Sequence, residues 1–277
     1  MKDGFIRVAA ATPDIHVADP QYNSEQIIEL MEQGSTRGVK VMAFPELCLT
    51  AYTCSDLFLQ ESLLREAKKE LKRILQASKS KDMILFVGMP WMHKGKLYNV
   101  AAVLNRGRIL GIVPKKHLPN YSEFYELRHF NPGMEKVEMT DWEGVQVPMG
   151  MNLLFACRTM PELVLAAELC EDVWVPCPPS ISHALAGATV IANCSASDET
   201  TGKDQYRYNL ICGQSARLVC GYIYANAGEG ESSQDLVFGG QNIIAETAPV
   251  WYSLTGLKMP ASVQIWILEG SSASAAV

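Results

Sequence analysis

The chain has 277 residues, 48% of them hydrophobic and 19% charged, enough apolar surface for one large or two small domains and too much for general disorder. Its formal net charge of −6 comes without a basic block, which argues against a nucleic-acid partner. No apolar run reaches the roughly 18–20 residues that span a bilayer, so a cytoplasmic location with no membrane partner is expected.

Residues 6–11 read as a buried strand, and the N-terminal run around them lacks a signal-peptide layout. Ser24 is expected to cap an amphipathic helix that carries Ile27, Ile28 and Leu30 and ends near Gly38. Residues 39–44 form a second strand, and residues 61–78 a helix, with Leu63, Leu64, Leu71, Ile74 and Leu75 at helical spacing. A third strand covers residues 83–88. Residues 100–104 and 109–113 flank Asn105-Arg106-Gly107-Arg108, a hairpin signal that makes a mixed sheet. Strands at 163–167 and 189–193 enclose a short helix at 180–186; a helix at 206–219 and strands at 222–227 and 242–245 follow. No Gly-, Ser- or charge-rich linker divides the chain, so one layered α/β domain running to residue 246 is expected.

Three segments place an ionisable residue where a strand ends, the usual place for function in α/β sheets. They are Phe44-Pro45-Glu46-Leu47, Val113-Pro114-Lys115-Lys116-His117-Leu118 and Glu168-Leu169-Cys170-Glu171-Asp172. Alone, each has a plain reading: a turn glutamate, a solvated pair of lysines, a structural cysteine. Together they supply a nucleophile, a base for its proton and a cation for the charge that develops on a substrate oxygen. His117 sits beside the lysines, but a Cys–His pairing is the weaker arrangement. Eight cysteines without a C-x-x-C pair argue against a disulfide framework or a zinc site. The chain has no G-x-S-x-G, no G-x-x-x-x-G-K-[ST] and no G-x-G-x-x-G, so acyl transfer by serine, phosphoryl transfer and hydride transfer have no motif behind them.

F-P-E-L, P-K-K-H-L-P-N-Y-S-E-F-Y-E and E-L-C-E-D-V-W, in this order, resemble the nitrilase or carbon–nitrogen hydrolase superfamily. The stretches at 49–58, 118–126, 193–197 and 227–241 narrow the likeness to the glutaminase domains of glutamine-dependent NAD synthetases, over residues 5–246. The resemblance implies a four-layer α-β-β-α sandwich. It implies Cys170 as nucleophile, Glu46 as general base, Lys115 as the cation beside the oxyanion, chosen over Lys116 because Lys115 and Leu118 satisfy K-x-x-L, and Glu126 as a second glutamate that orients the site. Tyr121, Phe124, Glu171 and Ser197 align with positions that hold glutamine. Lys203 stands where relatives commonly carry Arg, and Lys cannot make Arg's bidentate fork on a carboxylate.

The implied activity is hydrolysis of glutamine to glutamate and ammonia through a thioester, with no cofactor or metal. ATP and magnesium would belong to a synthetase domain, the partner that uses the ammonia, in a homo-oligomeric enzyme. The alternatives are a stand-alone hydrolase of another small amide and an inactive truncated fragment.

From residue 247 onward the chain leaves the family pattern. Restoring one adenine after the Glu246 codon yields, with permitted codons, a continuation N-G-A-G-L-V-Q-S-D-R-F that resembles it. Residues 247–277 are therefore expected to be a frameshifted tail and the synthetase domain to be absent, an expectation that sequencing the gene tests.

Overall fold

The computed structural model describes residues 4–247, 250–253 and 262–269. In chain order these form β1 (Phe5–Thr12), α1 (Pro20–Thr36), β2 (Val41–Ala43), a 3-10 helix (Tyr52–Leu59), α2 (Glu61–Ser78), β3 (Ile84–His93), β4 (Lys96–Asn105), β5 (Arg108–Pro114) and α3 (Glu126–His129). Then come β6 (Glu138–Trp142), β7 (Val145–Met149), β8 (Phe155–Ala156), β9 (Val164–Leu169), a 3-10 turn (Cys170–Val173), α4 (Pro179–Leu185), β10 (Val190–Ser195), α5 (Lys203–Leu218), β11 (Gly221–Asn226), β12 (Ile243–Glu246), β13 (Val250–Ser253) and β14 (Ser262–Glu269).

The strands build two sheets, one in the order β14-β1-β2-β3-β4-β5-β7-β6 and one in the order β13-β12-β11-β10-β9-β8. The first is mixed: β1, β2 and β3 run parallel, and the β3-β4-β5 meander is antiparallel, as the hairpin signal requires. Alternation along the strands sends side chains to two faces, and the buried clusters define the layers. Ala9, Met42, Leu85 and Val87 pack with Ile27 and Leu30 of α1 and Leu71 and Ile74 of α2. Their neighbours Val8, Ala10, Val41 and Phe86 meet Leu165, Ala167, Ala192 and Ile223 of the second sheet. The other face of that sheet, with Ala166, Ile191, Tyr222 and Tyr224, packs on Ile211 of α5. Helices, sheet, sheet and helices make the four-layer α-β-β-α sandwich.

Residues 61–78 form the helix that their apolar spacing predicts. The start of α1 differs: Asp19 is its cap, accepting from the Tyr22 N–H at 3.1 Å, with Pro20 in the first position. Ser24 lies one turn inside, where its hydroxyl donates to the buried Glu70 carboxylate of α2 at 2.6 Å. Asp before Pro is the stronger start signal, since Pro needs no N–H partner there. In the segment expected to fall outside the domain, β13 pairs with β12 and β14 pairs antiparallel with β1 over eight residues.

Candidate active site

Glu46 is placed by a strand that stops early. The Phe44 N–H still bonds to Phe86 O at 2.9 Å, but Pro45 has no N–H and the next donor, that of Glu46, crosses to Ser195 O of the second sheet at 3.3 Å. The turn lies on Gly88 of β3, where an added Cβ would stand 2.2 Å from Pro45 O and 2.4 Å from Leu47 N. The Glu46 side chain is fully buried. Its Oε1 accepts from Asn99 Nδ2 at 2.6 Å and Lys115 Nζ at 2.7 Å, and its Oε2 accepts from the Ala196 N–H at 3.0 Å. Three donors from both sheets fix the carboxylate.

Lys115 follows β5 directly. Its N–H donates to Asn99 O at 2.9 Å and its carbonyl accepts from the Gly133 N–H at 2.7 Å, which turns the side chain inward. The ammonium has 0% exposure and also donates to Glu126 Oε1 at 2.6 Å, where the Tyr52 hydroxyl arrives at 2.9 Å. Burial works against its charge, but Glu126, Glu46 and the Cys170 thiol outweigh it and hold the amine firmly protonated. Burial pushes the Glu126 carboxyl up to about 7, with Lys115 opposing and Glu46 reinforcing the rise.

Cys170 follows β9 directly and lies in the left-handed region, with φ at 39°. The turn is tied by Asp172, whose carboxylate accepts from the N–H groups of Leu169 (3.1 Å), Lys116 (3.3 Å) and His117 (2.8 Å), so the nucleophile turn and the lysine segment share one anchor. His117 Nδ1 also meets Asp172, at 2.9 Å, which assigns this histidine to Asp172 and away from the thiol. The thiol is raised above its ordinary range, first by burial and then by Glu46, while Lys115 and the Ser195 hydroxyl pull it down. A neutral thiol beside a fixed carboxylate and a buried ammonium can lose its proton as it attacks.

A cavity of about 400 Å³ opens over Cys170. Tyr121, Phe124, Glu171, Ser197 and Lys203 all line it, so the five residues expected to hold substrate share one wall system with the nucleophile. Glu46, Lys115 and Glu126 are buried and do not line it. The Tyr121 hydroxyl donates to Glu171 at 3.1 Å, and Glu171 is raised, chiefly by burial. Lys203 pairs with Asp198 and lies 5.6 Å from the Trp174 ring centre and 5.8 Å from that of Phe124. Trp174, the last residue of E-L-C-E-D-V-W, also lines the wall, as do Thr200, Thr201 and Tyr206, which carry no sequence motif that singles them out. Asn99 and Tyr52 were also missed. Asn99, the one side-chain amide in the apolar run Leu97–Leu104, is the signal that could have found the first.

The carbon–nitrogen hydrolase family model matches residues 7–247. The chain belongs to this family. Among its relatives is the glutamine-dependent NAD(+) synthetase of Mycobacterium tuberculosis, 42% identical over 243 residues, an overlap that is 88% of this chain and 36% of that protein. The corresponding synthetase of Aquifex aeolicus is 31% identical over 240 residues, 87% of this chain and 38% of that one. The chain thus spans little more than a third of the length of these curated relatives. A solved glutamine-dependent NAD(+) synthetase from Cytophaga hutchinsonii superposes with a TM-score of 0.86 at 26% identity, covering 95% of this chain and 43% of that one. An amidase from Nesterenkonia sp. shares the fold, with a TM-score of 0.76 at 19% identity over 98% of this chain and 92% of its own.

Proposed function

We propose that this carbon–nitrogen hydrolase releases ammonia from the side-chain amide of glutamine, through a thioester on Cys170. The observation that carries the reading is the cavity wall: Glu171 offers a carboxylate and Lys203 an ammonium in the same cavity as the nucleophile, a pair suited to a free amino acid's α-amino and α-carboxylate groups. Relatives named glutamine-dependent NAD(+) synthetases support it.

In this mechanism Glu46 takes the Cys170 proton as sulfur bonds to the amide carbon, and the oxyanion forms beside Lys115. Collapse breaks the carbon–nitrogen bond, and the proton passes from Glu46 to the departing nitrogen, which leaves as ammonia. Water then attacks the thioester; Glu46 accepts its proton, glutamate leaves, and the sulfur recovers a proton. Glu126 and Tyr52 hold Lys115 in place. The cycle draws on these side chains and water alone. ATP and magnesium are assigned to the synthetase part of the longer relatives, which is the proposed consumer of the ammonia within a cytoplasmic homo-oligomer. Residues 1–246 are proposed as the amidase domain and 247–277 as a frameshifted tail, of which β13 and β14 add an edge strand to each of the two sheets; the family match, which stops at residue 247, supports this division of the sequence.

The test is ammonia release from glutamine by the purified chain, with short aliphatic amides and carbamoyl amino acids in parallel and Cys170→Ala as control. Glutamine hydrolysis that disappears in Cys170→Ala is expected. Hydrolysis that survives the substitution removes the nucleophile, and turnover of another amide in preference to glutamine removes the substrate.

A further inference from the structure

The backbone of Cys170, with φ at 39°, is in a conformation unfavourable for a residue with a Cβ, and something must hold it there. Cys170 is the first residue past β9, so its buried N–H has left the sheet ladder, whose last pair is Leu169 with Cys194. A side chain takes over: Asn193 of β10, one residue before the end of that pairing, accepts from the Cys170 N–H through Oδ1 at 3.0 Å.

Asn193 does not stand alone. Glu168, Asn193 and Tyr222 project from neighbouring strands on the face of the sheet that packs against α4 and α5, all three at most 1% exposed. Asn193 Nδ2 donates to the Tyr222 hydroxyl at 3.1 Å, Tyr222 donates to Glu168 Oε1, and Glu168 Oε2 accepts from the Ser180 N–H at 2.8 Å. The direction of this chain follows from proton counting. An ionised Glu168 can only accept, so Tyr222, with one proton, must give it to Glu168 and receive from Asn193. The amide then has one orientation left, nitrogen to Tyr222 and oxygen to the Cys170 N–H. Reversed, it would set two donors against each other at the nucleophile.

We propose that Asn193 is a positioning residue for the nucleophile, and that Glu168, acting through Tyr222, fixes which end of its amide faces Cys170. Neither residue touches the cavity over the thiol, and neither belongs to the proton-transfer set described above. The proposal rests on Cys170 being the reactive residue of the proposed function.

The decisive experiment is a polarity swap in the full chain at pH 8, above the raised Glu168 carboxyl. Glu168→Gln leaves two donors, the Ser180 N–H and the Tyr222 hydroxyl, contending for the single oxygen of the new amide, whose nitrogen is one donor more. Asn193→Asp leaves two carboxylates competing for one tyrosine proton. In the double variant Asn193→Asp/Glu168→Gln every group is satisfied again with the chain running the other way: the new amide accepts from Ser180 and donates to Tyr222, Tyr222 donates to the new carboxylate, and that carboxylate still accepts from the Cys170 N–H. The readout is the second-order rate of Cys170 alkylation by iodoacetamide, followed as the mass of the Cys170 peptide, with kcat and KM for glutamine alongside.

Each single variant is expected to slow alkylation about tenfold, the size of one lost buried hydrogen bond, and to lower kcat with KM little changed. The double variant is expected to return to within about threefold of the natural chain. Recovery of the double variant over Asn193→Asp cannot come from removing the carboxylate beside Cys170, because that carboxylate is present in both variants. Single variants as reactive as the natural chain, or a double variant no better than the worse single, overturn the proposal. Where a single variant fails to fold, Tyr222→Phe replaces it, since it removes only the hydroxyl. An unchanged alkylation rate in Tyr222→Phe is equally fatal. If Cys170 alkylates as described while glutamine is not hydrolysed, the proposed function fails and the positioning role stands.

Discussion

Lys115 Nζ lies 2.7 Å from Glu46 and 2.6 Å from Glu126, so one buried ammonium is shared by two carboxylates. Removing one charge leaves the other pair intact but changes where the ammonium points. Glu126→Gln keeps an oxygen for Lys115 and Tyr52 but lets the lysine be drawn toward Glu46; kcat for glutamine is expected to fall about a hundredfold with KM within threefold. Tyr52→Phe, which removes only a neutral donor to Glu126, should lower kcat less than tenfold. Steady-state kinetics on the two variants checks the order, and an equal or reversed effect contradicts the positioning role given to Glu126. Lys203 offers the opposite kind of change. Lys203→Arg restores a planar fork for a carboxylate, and its expected result is a severalfold lower KM for glutamine at unchanged kcat; a higher KM says the Asp198 contact, and not the substrate, governs this position. The three reacting groups were legible because each stands at a strand end. Asn99 and Asn193 were not: a single amide inside an apolar strand signals a buried contact without saying what it contacts.

At the scale of elements, the site depends on how closely the Phe44-Pro45-Glu46 turn lies on β3. Gly88→Ala inserts a Cβ 2.2 Å from a backbone oxygen, and the turn must lift. A stability loss of about 1–3 kcal/mol is expected, with kcat at least a hundredfold down because Glu46 moves with the turn. Gly213 of α5 is the control: its added Cβ meets nothing within 4 Å, so Gly213→Ala should be neutral or stabilise by up to about 1 kcal/mol. Urea titration of both variants measures the contrast. The helix at 61–78 could be read from sequence because its apolar stripe is local. The short strands β6, β7 and β8 could not, since what makes them strands is pairing with partners supplied by the rest of the fold. The start of α1 was misread for a related reason: Ser24 looks like a cap until the distant Glu70 claims its hydroxyl.

For the whole molecule, buried carboxyls set how stability follows pH. Glu168 is raised to about 7, first by burial, with the Tyr222 hydrogen bond opposing. Below about pH 4.5 the carboxyl is protonated in both the folded and the unfolded chain and contributes no slope. Between about 4.5 and 7 the unfolded chain releases a proton that the folded chain retains, so stability falls as pH rises, by roughly 3 kcal/mol in all, and levels off above 7. Glu126 adds a slope of the same sign, so comparison with a variant is needed to isolate one group. Glu168→Gln has nothing to titrate at this position. Whatever constant penalty its hydrogen bonding brings, the stability of the variant relative to the natural chain should improve from pH 5 to about pH 7 and level off by pH 8. Thermal unfolding of both proteins at pH 5, 6, 7 and 8 measures this directly. A difference that stays constant across the four values means that Glu168 ionises in the folded protein as readily as in the unfolded one, and that its carboxylate is solvated by the Tyr222 and Ser180 donors well enough to cancel the burial.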